Sequence, residues 1–117
     1  MTGREGGLLR WQWSRYAGTH RNRRNLALHA ATAPLFIAGT CALVASPLLG
    51  VAAGVAGLAA IGGTIAAQLR THKLEEATPA PFLGPADIAA RFLAEQFVTF
   101  PRYVLSGGFA DAWRRLA

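Results

Sequence analysis

Between Arg24 and Arg70 the chain runs for 45 residues, Asn25 to Leu69, without one Asp, Glu, Lys or Arg. Such a stretch has to leave water. A membrane-crossing helix takes about 20 apolar residues, each rising about 1.5 Å. The run is too long for one crossing and the right length for two joined by a tight turn. Ser46-Pro47-Leu48-Leu49-Gly50 carries the breakers for that turn. The sequence therefore predicts a helical hairpin with spans at about 26–45 and 51–69. A helix buried in a soluble bundle usually keeps a polar face, whereas Ala52 to Ala67 offers only the Thr64 hydroxyl. The run also starts too late and continues too far for a cleaved signal segment.

With 117 residues the chain is read as one domain, 52% hydrophobic and only 15% charged. That composition excludes disorder. A lone Cys41 excludes an internal disulfide framework and reads as a mid-span packing residue. Twelve Lys and Arg against six Asp and Glu give a net charge of +6, which suits nucleic acid or an anionic membrane. The placement of the charge separates the two. All twelve basic residues lie in 4–24 and 70–115, and none in the turn. The positive-inside rule then puts both termini in the cytoplasm and the hairpin in the cell inner membrane. The Arg21-Asn22-Arg23-Arg24 cluster beside the first span suits phospholipid headgroups. No Walker loop, zinc finger or recognition helix accompanies it, so no nucleic-acid partner is expected. Gly50 and Gly54 have the small-xxx-small spacing that lets helices approach closely, within the hairpin or in a homodimer.

The flanks look interfacial. Leu8 to Tyr16 mixes Trp11, Trp13 and Tyr16 with Arg10 and Arg15, and Gly18 is expected to end this helix. After the hairpin, Thr78-Pro79-Ala80-Pro81 and Gly84-Pro85 form a stiff connector. An amphipathic helix over about 86–105 follows, with Ile88, Phe92, Leu93, Phe97 and Val98 on one face and Asp87, Arg91 and Glu95 on the other. Those charges favour lying on the membrane or against the hairpin over a third crossing. Pro101 is expected to kink or end the helix. The expected fold is all-α: a two-span membrane hairpin flanked by amphipathic interfacial helices.

The chain has three histidines, His20, His29 and His72. An antiparallel hairpin brings its open ends together, so all three gather at one membrane face. Glu76 follows His72 by four, on the same face of a continuing helix. Neutral imidazoles with a carboxylate suit Fe(II), Zn or Mn, and an open position on such a centre can activate a bound molecule. His29 falls inside the bilayer boundary, where an ionisable residue marks a functional site by default. Asn25 is the expected N-cap of the first span and, four before His29, is placed to orient that ring. Solvated interfacial histidines, His20 among its arginines above all, are the competing reading.

Tyr16-x3-His20-x4-Asn25-x3-His29-x4-Pro34 resembles the opening motif of a family of small membrane proteins related to the fungal 2-hydroxy fatty acid dioxygenase of phytosphingosine breakdown, the Mpo-type family. That family's second motif, a His with a Glu four later and then Pro-Ala, is matched by His72, Glu76 and Pro79-Ala80, with Glu75 as the alternative acidic partner. The resemblance covers Tyr16 to Trp113. It implies an Fe(II)-dependent dioxygenase that uses O2 to cleave a long-chain 2-hydroxy fatty acid to the acid one carbon shorter. It implies that His20, His29 and His72 form the catalytic iron site, with Glu76 as a further ligand or support and Tyr16, Asn25 and Glu75 around it. A lipid substrate at headgroup depth would meet Arg21, Arg23, Arg24 or Arg70, of which Arg24 and Arg70 are the expected holders of its carboxylate by charge-assisted hydrogen bonds. Two readings from other classes stand beside this one: a non-catalytic membrane adaptor or lipid-binding protein, and a Zn-dependent hydrolase at the membrane surface.

Overall fold

The computed structural model describes residues 6–77 and 79–116, and every regular element among them is helical. Arg4 and Thr78 fall outside the described residues. The order is α1 (Leu8–Thr19), α2 (Arg23–Leu49), α3 (Val51–Thr71), a 3-10 turn (His72–Leu74), α4 (Pro85–Ala94), a π-helical turn (Glu95–Thr99), α5 (Phe100–Leu105) and α6 (Gly108–Arg115).

The hairpin forms where the charge-free run predicts it, but its turn is narrower. Gly50 alone separates α2 from α3, at φ +104, a backbone conformation that a side chain disfavours. Pro47 does not break α2. Its ring removes the N–H that would bond Leu43 O, and the Ser46 hydroxyl donates to that carbonyl instead, at 2.8 Å. The two helices touch through glycine. A Cβ on Gly57 would come within 2.5 Å of Gly39 O, and one on Gly54 would meet Ser46 Cβ at 3.2 Å. Gly54 is thus spent inside the hairpin, while Gly62 and Gly63 face open space.

Both hairpin helices are long and apolar enough to cross a membrane, and only 17% of the apolar window of each is buried. The core helix of a soluble bundle would be mostly covered. Here Leu48 is 92% exposed and Val51 83%.

The remaining elements pack at the open end of the hairpin, around Tyr16, Leu26, Phe100, Tyr103 and Ala112, with Trp13, Phe109 and Trp113 against them. Gly18 does not end α1. A single glycine costs a helix about 1 kcal/mol, and α1 runs on to Thr19, whose hydroxyl bonds Arg15 O at 3.2 Å.

Pro85 to Leu105 is helical throughout, as its pattern predicts, with one irregularity. The Phe100 N–H reaches back five residues to Glu95 O, the signature of a π turn. The extra residue falls just ahead of Pro101, which withdraws a backbone donor, and it re-aims the polar side chains. Arg91, Gln96 and Thr99 are buried, while Leu93, Phe97 and Val98 are exposed. Much of the polar side of this helix therefore faces the protein, together with Phe92 from the apolar side.

Polar staples hold it there. Gln68 and Gln96 exchange amide hydrogen bonds of 3.1 and 2.8 Å, and Gln68 also donates to Thr32 Oγ1 at 2.9 Å. Gln12 donates to Arg91 O at 3.0 Å and accepts from Thr99 Oγ1.

Candidate metal centre

Four elements each supply one side chain to a single point. His20 terminates α1, His29 lies in the second turn of α2, His72 follows α3 directly, and Glu95 opens the π turn. The ring centroids of the three histidines are 4.8, 4.8 and 5.2 Å apart. One ligand atom from each of the four residues lies within 4.8 Å of the others. The convergence expected of the three histidines is therefore present.

The hydrogen bonds of two rings fix what they can offer. His20 Nδ1 lies 2.8 Å from Tyr16 O, and His29 Nδ1 lies 2.9 Å from Asn25 O. A carbonyl oxygen only accepts, so both Nδ1 atoms carry the proton and donate. In the neutral rings the Nε2 lone pairs then point inward. His29 Nε2 stands 3.0 Å from Glu95 Oε2, and His20 Nε2 stands 3.5 Å from it. His20 Nε2, His29 Nε2 and His72 Nδ1 are buried without a hydrogen-bond partner.

Lone pairs facing a carboxylate repel unless a proton or a cation lies between them. Buried orphans of this kind call for an explanation, and a divalent cation supplies one. Opposed ligands at 2.0–2.2 Å from one ion lie about 4.2 Å apart, so the cluster closes on an ion with sub-ångström movement. Donation of the outer ring nitrogen to a backbone carbonyl is the usual way a metal-binding imidazole is oriented.

Tyr16 stacks on His20, with centroids 3.7 Å apart and planes 13° from parallel, and donates its hydroxyl to Glu95 Oε2 at 2.9 Å. Burial and the neighbouring Glu95 charge push the Tyr16 phenol well above its ordinary range, so it stays a donor. Burial alone would raise the Glu95 pKa. With no cation in the cluster and a proton on the inward nitrogens instead, hydrogen bonding and charge from His20 and His29 outweigh it and hold the carboxyl well below its ordinary range.

The carboxylate that joins the cluster is Glu95, not the expected Glu76. Glu76 is exposed and stands outside the cluster. The expectation assumed that α3 continues past His72. Instead it ends at Thr71, a 3-10 turn follows, and Glu75 is extended at φ −80, ψ 143, so the four-residue relation between His72 and Glu76 is lost. Glu75 is buried and acts as a clasp. It accepts the N–H groups of Arg21 (2.6 Å) and Asn22 (2.8 Å) and the side-chain amide of Asn25 (2.8 Å). It thereby ties the segment after His72 to the segment after His20.

Asn25 supports His29, through its backbone carbonyl, while its side chain accepts from Thr71 Oγ1 at 2.8 Å. The N-cap of α2 is Asn22, which accepts from the N–H groups of Arg24 and Asn25. Asn25 is the third residue of the helix, within its first turn.

Arg24 and Arg70 are exposed and line none of the three recesses described beside His20 and Glu75, whereas Arg21 lines two of them. Arg15 and Arg91 line the recess that includes His20, His72 and Glu95, and Arg21 and Arg115 line another that includes His20. Glu95 had a visible signal: it is a lone carboxylate between Leu93-Ala94 and Phe97-Val98, and a charge in an apolar stretch marks a site by default.

Comparison of the chain with protein-family models, with curated proteins and with solved structures finds no match.

Proposed function

We propose that this chain is a membrane-embedded Fe(II)-dependent dioxygenase that cleaves a long-chain 2-hydroxy fatty acid to the acid one carbon shorter. The observation that carries the reading is the set of inward-facing nitrogens with fixed tautomers, closed by the Glu95 carboxylate. Three neutral imidazoles and one carboxylate suit Fe(II), and such a set leaves coordination positions for other ligands. The choice of iron over zinc or manganese, and of this substrate, rests on the motif resemblance around Tyr16–Pro34 and His72–Ala80.

The membrane placement rests on the two long, uncovered apolar helices. With the Gly50 turn uncharged and every Lys and Arg on the far side of the hairpin, the open end and the metal centre face the cytoplasm of the cell inner membrane. The exposed Leu93, Phe97 and Val98 then rest on lipid.

The overall change balances with dioxygen as sole oxidant: one 2-hydroxy acid and one O2 give the shortened acid, one CO2 and one water. Fe(II), when held by His20, His29, His72 and Glu95, would supply the chemistry that activates O2. The chain's own groups prepare the site. Asn25 O and Tyr16 O hold the two rings in the tautomer that presents Nε2. Glu95 contributes a negative charge that favours a divalent cation. Tyr16 fixes the carboxylate by donating to it. The near-complete burial of His20 and His29 keeps bulk water out.

The test is O2 uptake by iron-reconstituted protein given 2-hydroxyhexadecanoate, with the product identified by mass. Pentadecanoate formed one-to-one with O2 consumed supports the reading. Iron bound without uptake on any 2-hydroxy acid overturns the activity, and zinc retained in preference to iron favours the hydrolase.

A further inference from the structure

The recess beside the metal centre has a definite chemistry of its own. One side is a face of α1 that includes Trp11, Arg15 and Thr19, and the other includes Phe82 and Phe92. Its inner end is His20, His72 and Glu95, and Leu69, 40% exposed, lies at its edge at the end of α3. It is an apolar slot that ends on the cluster.

Two arginines border it, and they are not equivalent. Arg91 is buried and committed. Its Nη1 donates to Ala80 O at 2.9 Å and Pro81 O at 3.2 Å, Asp87 lies 3.8 Å away, and the guanidinium lies 4.1 Å from the Phe82 ring centroid. It fastens the connector to α4. Arg15 is exposed, lies 5.5 Å from the Trp11 ring centroid, and takes part in none of the ion pairs among the described residues. It stands on α1 one turn before Thr19 and His20, with its charge available at the rim.

The slot is short. From Trp11 to Thr19 it follows eight residues of α1, about 12 Å. A long acyl chain reaches the bilayer midplane, about 15 Å, and its acid group needs room as well.

We infer that this recess takes only the acid end of a membrane-resident long-chain acid, with Arg15 binding the carboxylate, while the chain leaves past Leu69 and Phe92 into lipid. The protein then reads the head group and not the chain length. The inference deepens the proposed function and rests on its membrane placement, but it needs no turnover.

The test uses tryptophan quenching in nanodiscs at low mole fraction of 2-bromohexadecanoate, first on metal-free protein and then with one equivalent of Zn(II). Metal binding and acid binding are thus read separately. Saturable quenching is expected, and most of it should be lost in Trp11→Phe. Hexadecanoate should displace the probe and its methyl ester should not. Arg15→Gln should weaken binding about tenfold, the scale of a hydrogen bond to a charged group, with Arg15→Lys partly restoring it. Arg115→Gln, in the separate recess on the other side of His20, should change nothing. Dodecanoate and octadecanoate at equal membrane mole fraction should compete within about threefold, because the chain exchanges lipid for lipid. Quenching that does not saturate, or that Arg15→Gln leaves unaltered, overturns the inference. So does competition that strengthens steadily with each added methylene. Acid binding without metal binding would leave the inference standing and remove the oxygenase.

Discussion

His29 Nε2 stands 3.0 Å from Glu95 Oε2, while the other nitrogen of the same ring is committed to Asn25 O at 2.9 Å. With the ring neutral, both atoms are buried acceptors at hydrogen-bond distance, so a proton or a cation has to accompany them. The residues come from α2 and from the π turn, 66 positions apart, and the contact joins the hairpin to the helix packed on its open end.

Glu95 and not Glu76 is the acidic group of the centre. Glu95→Gln should lower affinity for a divalent metal by more than about a hundredfold, beyond the 10–100-fold typical of supporting residues. Glu76→Gln should leave it unchanged. Competitive titration against a chelating dye checks both. Equal losses in the two variants would restore the sequence-based assignment.

Glu75 acts at one remove, by holding the chain that carries His20 and His72. Glu75→Gln keeps the volume but places an amide where three N–H groups converge. Metal affinity should fall about 10–100-fold, and stability by about 1–3 kcal/mol. Metal titration and thermal unfolding in detergent read the two effects. An affinity unchanged at normal stability would separate Glu75 from the centre.

The Gln68–Gln96 exchange fixes the π turn on the hairpin. Gln96→Leu strands the Gln68 amide in a fully buried place and should cost about 1–3 kcal/mol, with the double Gln68→Leu, Gln96→Leu variant recovering part of the loss. A double-mutant cycle on thermal unfolding gives the coupling. Strict additivity would contradict it.

The hairpin depends on contact between glycines. Gly57→Ala drives a methyl against Gly39 O and should destabilise the protein by about 1–3 kcal/mol, the usual cost of overpacking. Gly62→Ala points into open space and should be neutral or mildly stabilising. Unfolding of the two variants side by side distinguishes them. Equal effects would mean that the stripe is generic.

The parts of this molecule that were legible in sequence are those set by one-dimensional pattern. The charge-free run gives the hairpin, and the three histidines flanking it converge because hairpin geometry demands it. What escaped is set by packing. Glu76 was read on an extrapolated helix that stops at Thr71. Glu95 reaches the site only because α4 turns its polar side inward and a π turn re-aims it, and no periodicity announces that turn. Two asparagines in one N-terminal motif, Asn22 and Asn25, are equally good caps by residue type, and only the backbone conformation of Asn22 decides between them.

The most direct test of the centre is a metal count. Protein purified anaerobically in detergent, and analysed by plasma mass spectrometry beside His29→Ala and Glu95→Ala, should carry one iron per chain, lost in both variants. Absence of stoichiometric metal from the unaltered protein, before and after anaerobic reconstitution with Fe(II), would contradict the account.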